Sequence, residues 1–155
     1  MRRVAVAANQ GMQPKLKNSQ MDPEELIRQV IGAAIQVHRE LGPGFLESVY
    51  EEALALELSD RGIPFERQKS VTVCYRGHPV GEHRLDLLVA GLLIVENKAL
   101  RELDVVFYAV VRSYLKATGL RHALLFNFGT MPLTIKRVGP EDPARFEATP
   151  VPSPF

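Results

Sequence analysis

The 155-residue chain reads as one α/β domain, a mixed β-sheet flanked by helices in the order α-α-β-β-β-α-β-β. Three observations predict it. Apolar residues recur at helical spacing in two consecutive segments between Leu26 and Leu58. Val71, Val73 and Tyr75 alternate with polar neighbours as in a strand. The run LLIV, Leu92 to Val95, is unbroken apolar sequence, the mark of a strand covered on both faces. With 46% hydrophobic residues the chain can bury one proper core, and two domains would be crowded.

Residues 1–20 carry neither period and are expected to form a disordered leader, with Met21 a candidate natural initiator. The first helix opens at MDPEEL: Asp22 can cap, Pro23 suits the first helical position, and Glu25 completes a capping-box-like pattern. Leu26, Ile27, Val30, Ile31, Ala34, Val37 and Leu41 form its apolar face, and Gly42, Pro43 and Gly44 end it. Leu46, Val49, Tyr50, Ala53, Leu54 and Leu58 give a second helix, stopped by Gly62 and Pro64. A strand follows between Phe65 and Tyr75, and Arg76, Gly77, His78 and Pro79 are expected to turn the chain into a second strand. A hairpin leads to the third. Leu103 to Thr118 reads as a helix closed by Gly119, and ALLFNF and LTIKRV supply two more short strands. The domain is thus expected over 21–138, with residues 139–155, five prolines in seventeen, forming a flexible tail.

The formal charge of +1 conceals a polarised layout. From Met21 to Asp60 nine acids face Arg28 and Arg39 alone, whereas Arg61 to Phe155 carries thirteen Lys or Arg against nine acids. Phosphate binding through a local patch is open; ordinary solvated faces account for most of these charges. Cys74 is alone, which excludes an internal disulfide and a cysteine-based zinc site and fits a reducing cytoplasm. Arg2-Arg3-VAVAA is too short for an export signal, and the apolar run Leu87 to Val95 is far below the roughly 20 residues of a membrane span. No GxxxxGK[ST] loop, GxGxxG turn or GxSxG elbow supports a nucleotide or serine-hydrolase chemistry.

The chemistry-bearing stretch is RLDLLVAGLLIVENK, Arg84 to Lys98, in which Asp86 on one strand precedes Glu96, Asn97 and Lys98 on the next. Whether their side chains meet depends on the turn. A two-residue turn at Ala90–Gly91 sends Asp86 and Glu96 to opposite faces. A three-residue turn over Val89, Ala90 and Gly91, with Gly91 left-handed, sets Asp86 opposite Ile94 and puts Asp86, Glu96 and Lys98 on one face, with Glu96 the diagonal neighbour of Asp86. Two carboxylates there suit Mg2+ or Mn2+. A structural ion pair between Glu96 and Lys98 is the competing reading.

With an acid and then Glu-x-Lys on the second and third strands, the chain resembles the PD-(D/E)XK nuclease superfamily over roughly Glu24 to Val138. Within it, IGAAIQVHRELGPGFLESVYEEAL, carrying Gly44, Glu47 and Tyr50, resembles the bacterial GxxExxY family. The resemblance implies a restriction-endonuclease-like core and a metal-dependent phosphodiester hydrolase acting on DNA or RNA. Asp86 and Glu96 would hold Mg2+ or Mn2+, Glu47 would be a further metal-orienting acid, and Lys98 would hold or deprotonate the attacking water. Tyr50 lies one turn beyond Glu47 and would touch substrate, brace Glu47 or pack in the core. Arg84, Arg101 and Arg112 are candidate substrate contacts, with surface solubility as the alternative for each. His38, on an apolar part of the first helix, reads as a satisfied core or cap residue and is left out of the metal set. A homodimer is possible, although no heptad or exposed apolar stripe marks an interface.

The chain departs from the superfamily pattern on the third helix. Tyr114 is present, but Val110 stands four residues before it where a Gln is usual, and Phe107 and Tyr108 occupy an expected polar pair. Asn97 replaces an apolar residue. The alternative function is therefore a catalytically weak or inactive nuclease-fold module that binds nucleic acid or a protein partner.

Overall fold

The computed structural model describes residues 21–140. The expected leader and most of the expected tail lie outside the described residues. Three helices and five strands follow one another as α1 (Pro23–Leu41), α2 (Glu47–Asp60), β1 (Phe65–Tyr75), β2 (His78–Val89), β3 (Leu93–Lys98), α3 (Val106–Thr118), β4 (His122–Asn127) and β5 (Thr134–Val138). The strands form one sheet in sequence order. All neighbours are antiparallel except β3 and β4, which run parallel because α3 carries the chain across the sheet between them. No helix among the described residues is long and apolar enough to cross a membrane.

Two cores sandwich the sheet. On one face α1 and α2 bury Leu26, Val30, Tyr50 and Leu54 against Leu87, Val95, Leu124 and Phe126. On the other, α3 buries Val111, Tyr114 and Leu115 against Leu85, Ile94, Ala123 and Leu125. β3 is central and covered on both sides, which is why its sequence is apolar without alternation.

At the start of α1 the Asp22 carboxylate accepts from Glu24 N at 3.2 Å, with Pro23 beside it. Glu25 faces along the helix, accepting from Gln29 Nε2 at 3.2 Å and pairing with Arg28, rather than reaching back as a capping box. The corner between α1 and α2 is closed by Tyr50. Its hydroxyl donates to Gly42 O at 2.5 Å and accepts from Phe45 N at 3.2 Å, while its ring stacks on Phe128 at 4.6 Å. α2 buries Tyr50, Leu54 and Leu58 fully, while its outer side is mostly polar and acidic, with Leu56 exposed among Glu52, Ser59 and Asp60.

Other element ends shift. The β1–β2 turn is only Arg76–Gly77, both left-handed, and His78 and Pro79 already belong to β2. α3 starts at Val106 rather than Leu103, where the Asp104 carboxylate accepts from Val106 N at 2.9 Å.

Tyr50→Phe should cost about 1–3 kcal/mol of stability, since it strands the Gly42 carbonyl and the Phe45 amide. Urea unfolding followed by circular dichroism would show a lower midpoint with native helix content retained.

Candidate active site

The hairpin between β2 and β3 decides whether the acidic residues meet. Val89 pairs with Leu93, so the connection is Ala90, Gly91 and Leu92, one residue later than the sequence reading placed it. Ala90 and Gly91 are both left-handed, with φ of 51° and 66°. Val89 is fully buried and stays in the ladder, while Ala90 N donates to Pro64 O at 2.8 Å and so holds an alanine in a conformation it rarely adopts. The loop still has three residues, so the parity survives. Continuing the register from Leu87↔Val95, Asp86 falls opposite Glu96, not opposite Ile94.

At that point β2 and β3 part. The β1–β2 register also skips Gln68, whose φ is 50°, and Asp86 opposite it. Instead of a ladder bond, the Asp86 carboxylate accepts from Asn97 N at 2.9 Å. Glu96 lies deeper, 5% exposed, with Oε1 3.4 Å from Lys98 Nζ and Oε2 buried without a hydrogen-bond partner. The Lys98 ammonium also sits 4.5 Å from the centroid of Phe107 on α3, which gives an aromatic residue at that helix position a local reason.

The field of the site is strongly acidic. Burial, with Glu51 and Glu47 adding to it, pushes Asp86 up to about 6 against the opposing hydrogen bond from Asn97 N. Burial, then the neighbouring Asp86 charge, pushes Glu96 up to about 8, with Lys98 pulling the other way. Tyr114 on α3 is 8% exposed, and burial together with Glu96, Asp86 and Glu47 raises its hydroxyl to about 12. The edge of His83 packs on the Tyr114 ring at 4.8 Å.

Glu47 is exposed in the first turn of α2, close enough for its charge to raise both Asp86 and Glu96. Glu51, one helical turn on, is a site neighbour that the sequence reading missed. It accepts from Arg67 Nη2 at 2.8 Å and Gln68 Nε2 at 2.5 Å, tying α2 to the irregular point of β1. The i, i+4 spacing from Glu47 was the signal that would have found it. Asn127 was also missed. Its side chain accepts from Leu100 N at 2.9 Å and Gly129 N at 3.1 Å and donates to Leu100 O at 3.0 Å, fixing the chain just beyond Lys98. A polar residue inside the apolar run ALLFNF was its signal. Gly129 is required there, because a Cβ would lie 2.3 Å from Leu100 O.

The remaining candidates fall elsewhere. Tyr50 is fully buried and has no surface with which to touch a substrate. Arg84 is exposed on β2 opposite Ser70, Arg101 is exposed beyond β3, and Arg112 is half-buried on α3. His38 is buried, its Nε2 2.8 Å from Thr130 O. Asn97 is fully buried with its side-chain amide unpartnered.

Among the described residues no three His, Cys, Asp or Glu side chains stand together as a ready-made metal cage. The donor set nonetheless fits a hard divalent cation. A half-buried and a buried carboxylate lie on neighbouring strands with one Glu96 oxygen unpartnered, their raised affinity for protons is an affinity for positive charge, and exposed Glu47 lies within electrostatic reach of both.

A family model of the PD-(D/E)XK nuclease superfamily matches residues 24–138. No curated protein and no solved structure matches the chain. With that match spanning most of its length, around a fork where an Asp and a Glu-x-Lys meet on adjacent strands, the chain belongs to the PD-(D/E)XK nuclease superfamily.

Proposed function

We propose that this protein is a Mg2+- or Mn2+-dependent nuclease that hydrolyses phosphodiester bonds of nucleic acid at the β2–β3 fork. The observation that carries the reading is buried Glu96, paired with Lys98 through one oxygen and left unpartnered at the other, on the strand next to Asp86, whose charge acts on it. Asp86 and Glu96 would hold the metal and Glu47 would complete its oxygen shell. A bound divalent ion there supplies charge neutralisation of the phosphate and acidifies water. Lys98, held between Glu96 and the Phe107 ring, would orient the attacking water and accept or relay its proton. Asn97 N, by fixing Asp86, would keep one carboxylate oxygen free for the ion. Asn127 would keep Lys98 from drifting with the loop that follows it. The likeness of Gly44, Glu47 and Tyr50 to GxxExxY proteins supports Glu47 as a member of the set, and the lone Cys74 supports a cytoplasmic setting.

The second reading, a binding module with little turnover, is favoured by Val110. Its side chain packs against the α3 core and can neither donate nor accept a hydrogen bond at the site.

Millimolar Mg2+, Mn2+ or Ca2+ should raise the melting temperature of the wild type, and Asp86→Ala should abolish the rise, as read by thermal unfolding with and without chelator. Absence of metal-dependent stabilisation would count against the metal site. On labelled DNA and RNA with Mn2+, Lys98→Ala should lower turnover at least a hundredfold while keeping the metal-dependent melting shift. Cleavage equal in Asp86→Ala and wild type would identify a contaminant.

Asp86 and Glu96 bind protons more tightly folded than unfolded, so the folded chain carries more protons above the ordinary carboxylate range of about 4. Metal-free stability should therefore be greatest at low pH within that window and fall as pH rises from about 4 through 6 and then 8. Glu96→Gln should flatten the upper part of that decline in melts recorded across pH.

A further inference from the structure

We infer that the β1–β2 hairpin is a DNA-docking ribbon that lies in the major groove of duplex substrate, with Tyr75 and Arg76 at its tip; this rests on the nuclease reading and assigns its substrate class. The hairpin leaves the body of the molecule. Val71 and His83 still pack near α3, but every residue from Cys74 to Glu82 is exposed, so neither helix layer covers the ribbon there. Tyr75 and Val80 are each 61% exposed.

The turn residue is the second observation. Arg76 has φ of 50° in a two-residue turn whose first position favours Asn, Asp or Gly. Turn propensity does not select arginine. Its guanidinium lies 5.1 Å from the Tyr75 ring centroid, which pre-forms a flat, charged, aromatic tip suited to a base edge or phosphate. Charge points to the same partner. Between Lys69 and Arg84 the ribbon carries Lys69, Arg76 and Arg84 against Glu82 alone, although Lys69 leans on Glu66 at 3.5 Å. A polyanion complements this ribbon, in contrast to the acidic α2.

Geometry narrows the polyanion. His78, opposite Tyr75, lies eight residues before Asp86, a reach of about 27 Å at ~3.4 Å per residue. That is about eight base-pair steps of B-DNA at ~3.4 Å each. The B-DNA major groove admits a two-stranded ribbon, whereas the deep, narrow groove of A-form RNA does not. Duplex DNA is therefore the occupant.

The test uses full-length protein, labelled DNA duplex, RNA duplex and single-stranded DNA, with binding measured without metal and cleavage with Mn2+. Arg76→Asn keeps a turn-compatible residue and should melt no lower than wild type. Combined with Tyr75→Ser it should weaken DNA-duplex binding about tenfold or more, and lower the slope of log affinity against log salt by about one. A footprint on wild-type complex should extend about eight base pairs to one side of the cut. Cleavage of an oligonucleotide too short to reach the tip should be unchanged. Unaltered duplex affinity in the double variant, equal losses on RNA or single strands, or no duplex binding by wild type would each overturn the ribbon. Tip-dependent duplex binding with no cleavage of any substrate would leave the ribbon standing and remove the hydrolase reading; cleavage indifferent to the tip would do the reverse.

Discussion

The fork in the sheet depends on one hydrogen bond, that from the Asn97 amide to the Asp86 carboxylate. Up to Leu87 and Val95 the two strands share an ordinary antiparallel ladder. At Asp86 a side-chain oxygen replaces the backbone acceptor, so β2 is free to bend away with β1 while β3 continues beside β4 as far as Lys98. The amide remains satisfied, which a simple parting of strands would not achieve. Asp86, Glu96 and Lys98 lie at this parting, within electrostatic reach of Glu47 on α2.

Burying such a set in a 155-residue protein opposes folding, and the surrounding structure shows how the cost is spread. Glu51 is matched by Arg67 and Gln68, Glu96 by Lys98, and Lys98 by the Phe107 ring. What is left over is concentrated on Glu96 Oε2 and in the raised proton affinities of the strand pair. The negative potential of the site is thus concentrated beside one cation, Lys98.

Much of this was legible in the sequence. The order of elements and the burial of β3 followed from apolar period, whereas the sequence left a two-residue and a three-residue turn both open between Asp86 and Glu96, and the observed ladder has three residues in that turn. The turn itself was placed one residue early because Ala90 is left-handed against its intrinsic preference, and the Pro64 carbonyl that stabilises it lies far away in sequence. Tyr50 matched a motif, but the partner of its hydroxyl, the glycine corner, is visible only in the folded chain. Glu51 and Asn127 escaped because their importance lies in partners on other elements, Arg67 and Leu100, which no local pattern records. The start of α3 was set by an Asp104 cap where helical periodicity alone ran on towards Leu103.

Because the strands are laid down in sequence order, the pair Asp86 and Glu96 is contained in a single hairpin, only ten residues apart along the chain. Closing that loop costs little chain entropy, whereas the parallel pairing of β3 with β4 must wait for α3 to cross the sheet. The strand pair is thus brought together within one hairpin, while Asn127, which holds the chain at Leu100 just beyond Lys98, arrives from the far side of the crossover. Nascent chains would bring Asp86 and Glu96 together early and tie down the segment after Lys98 late.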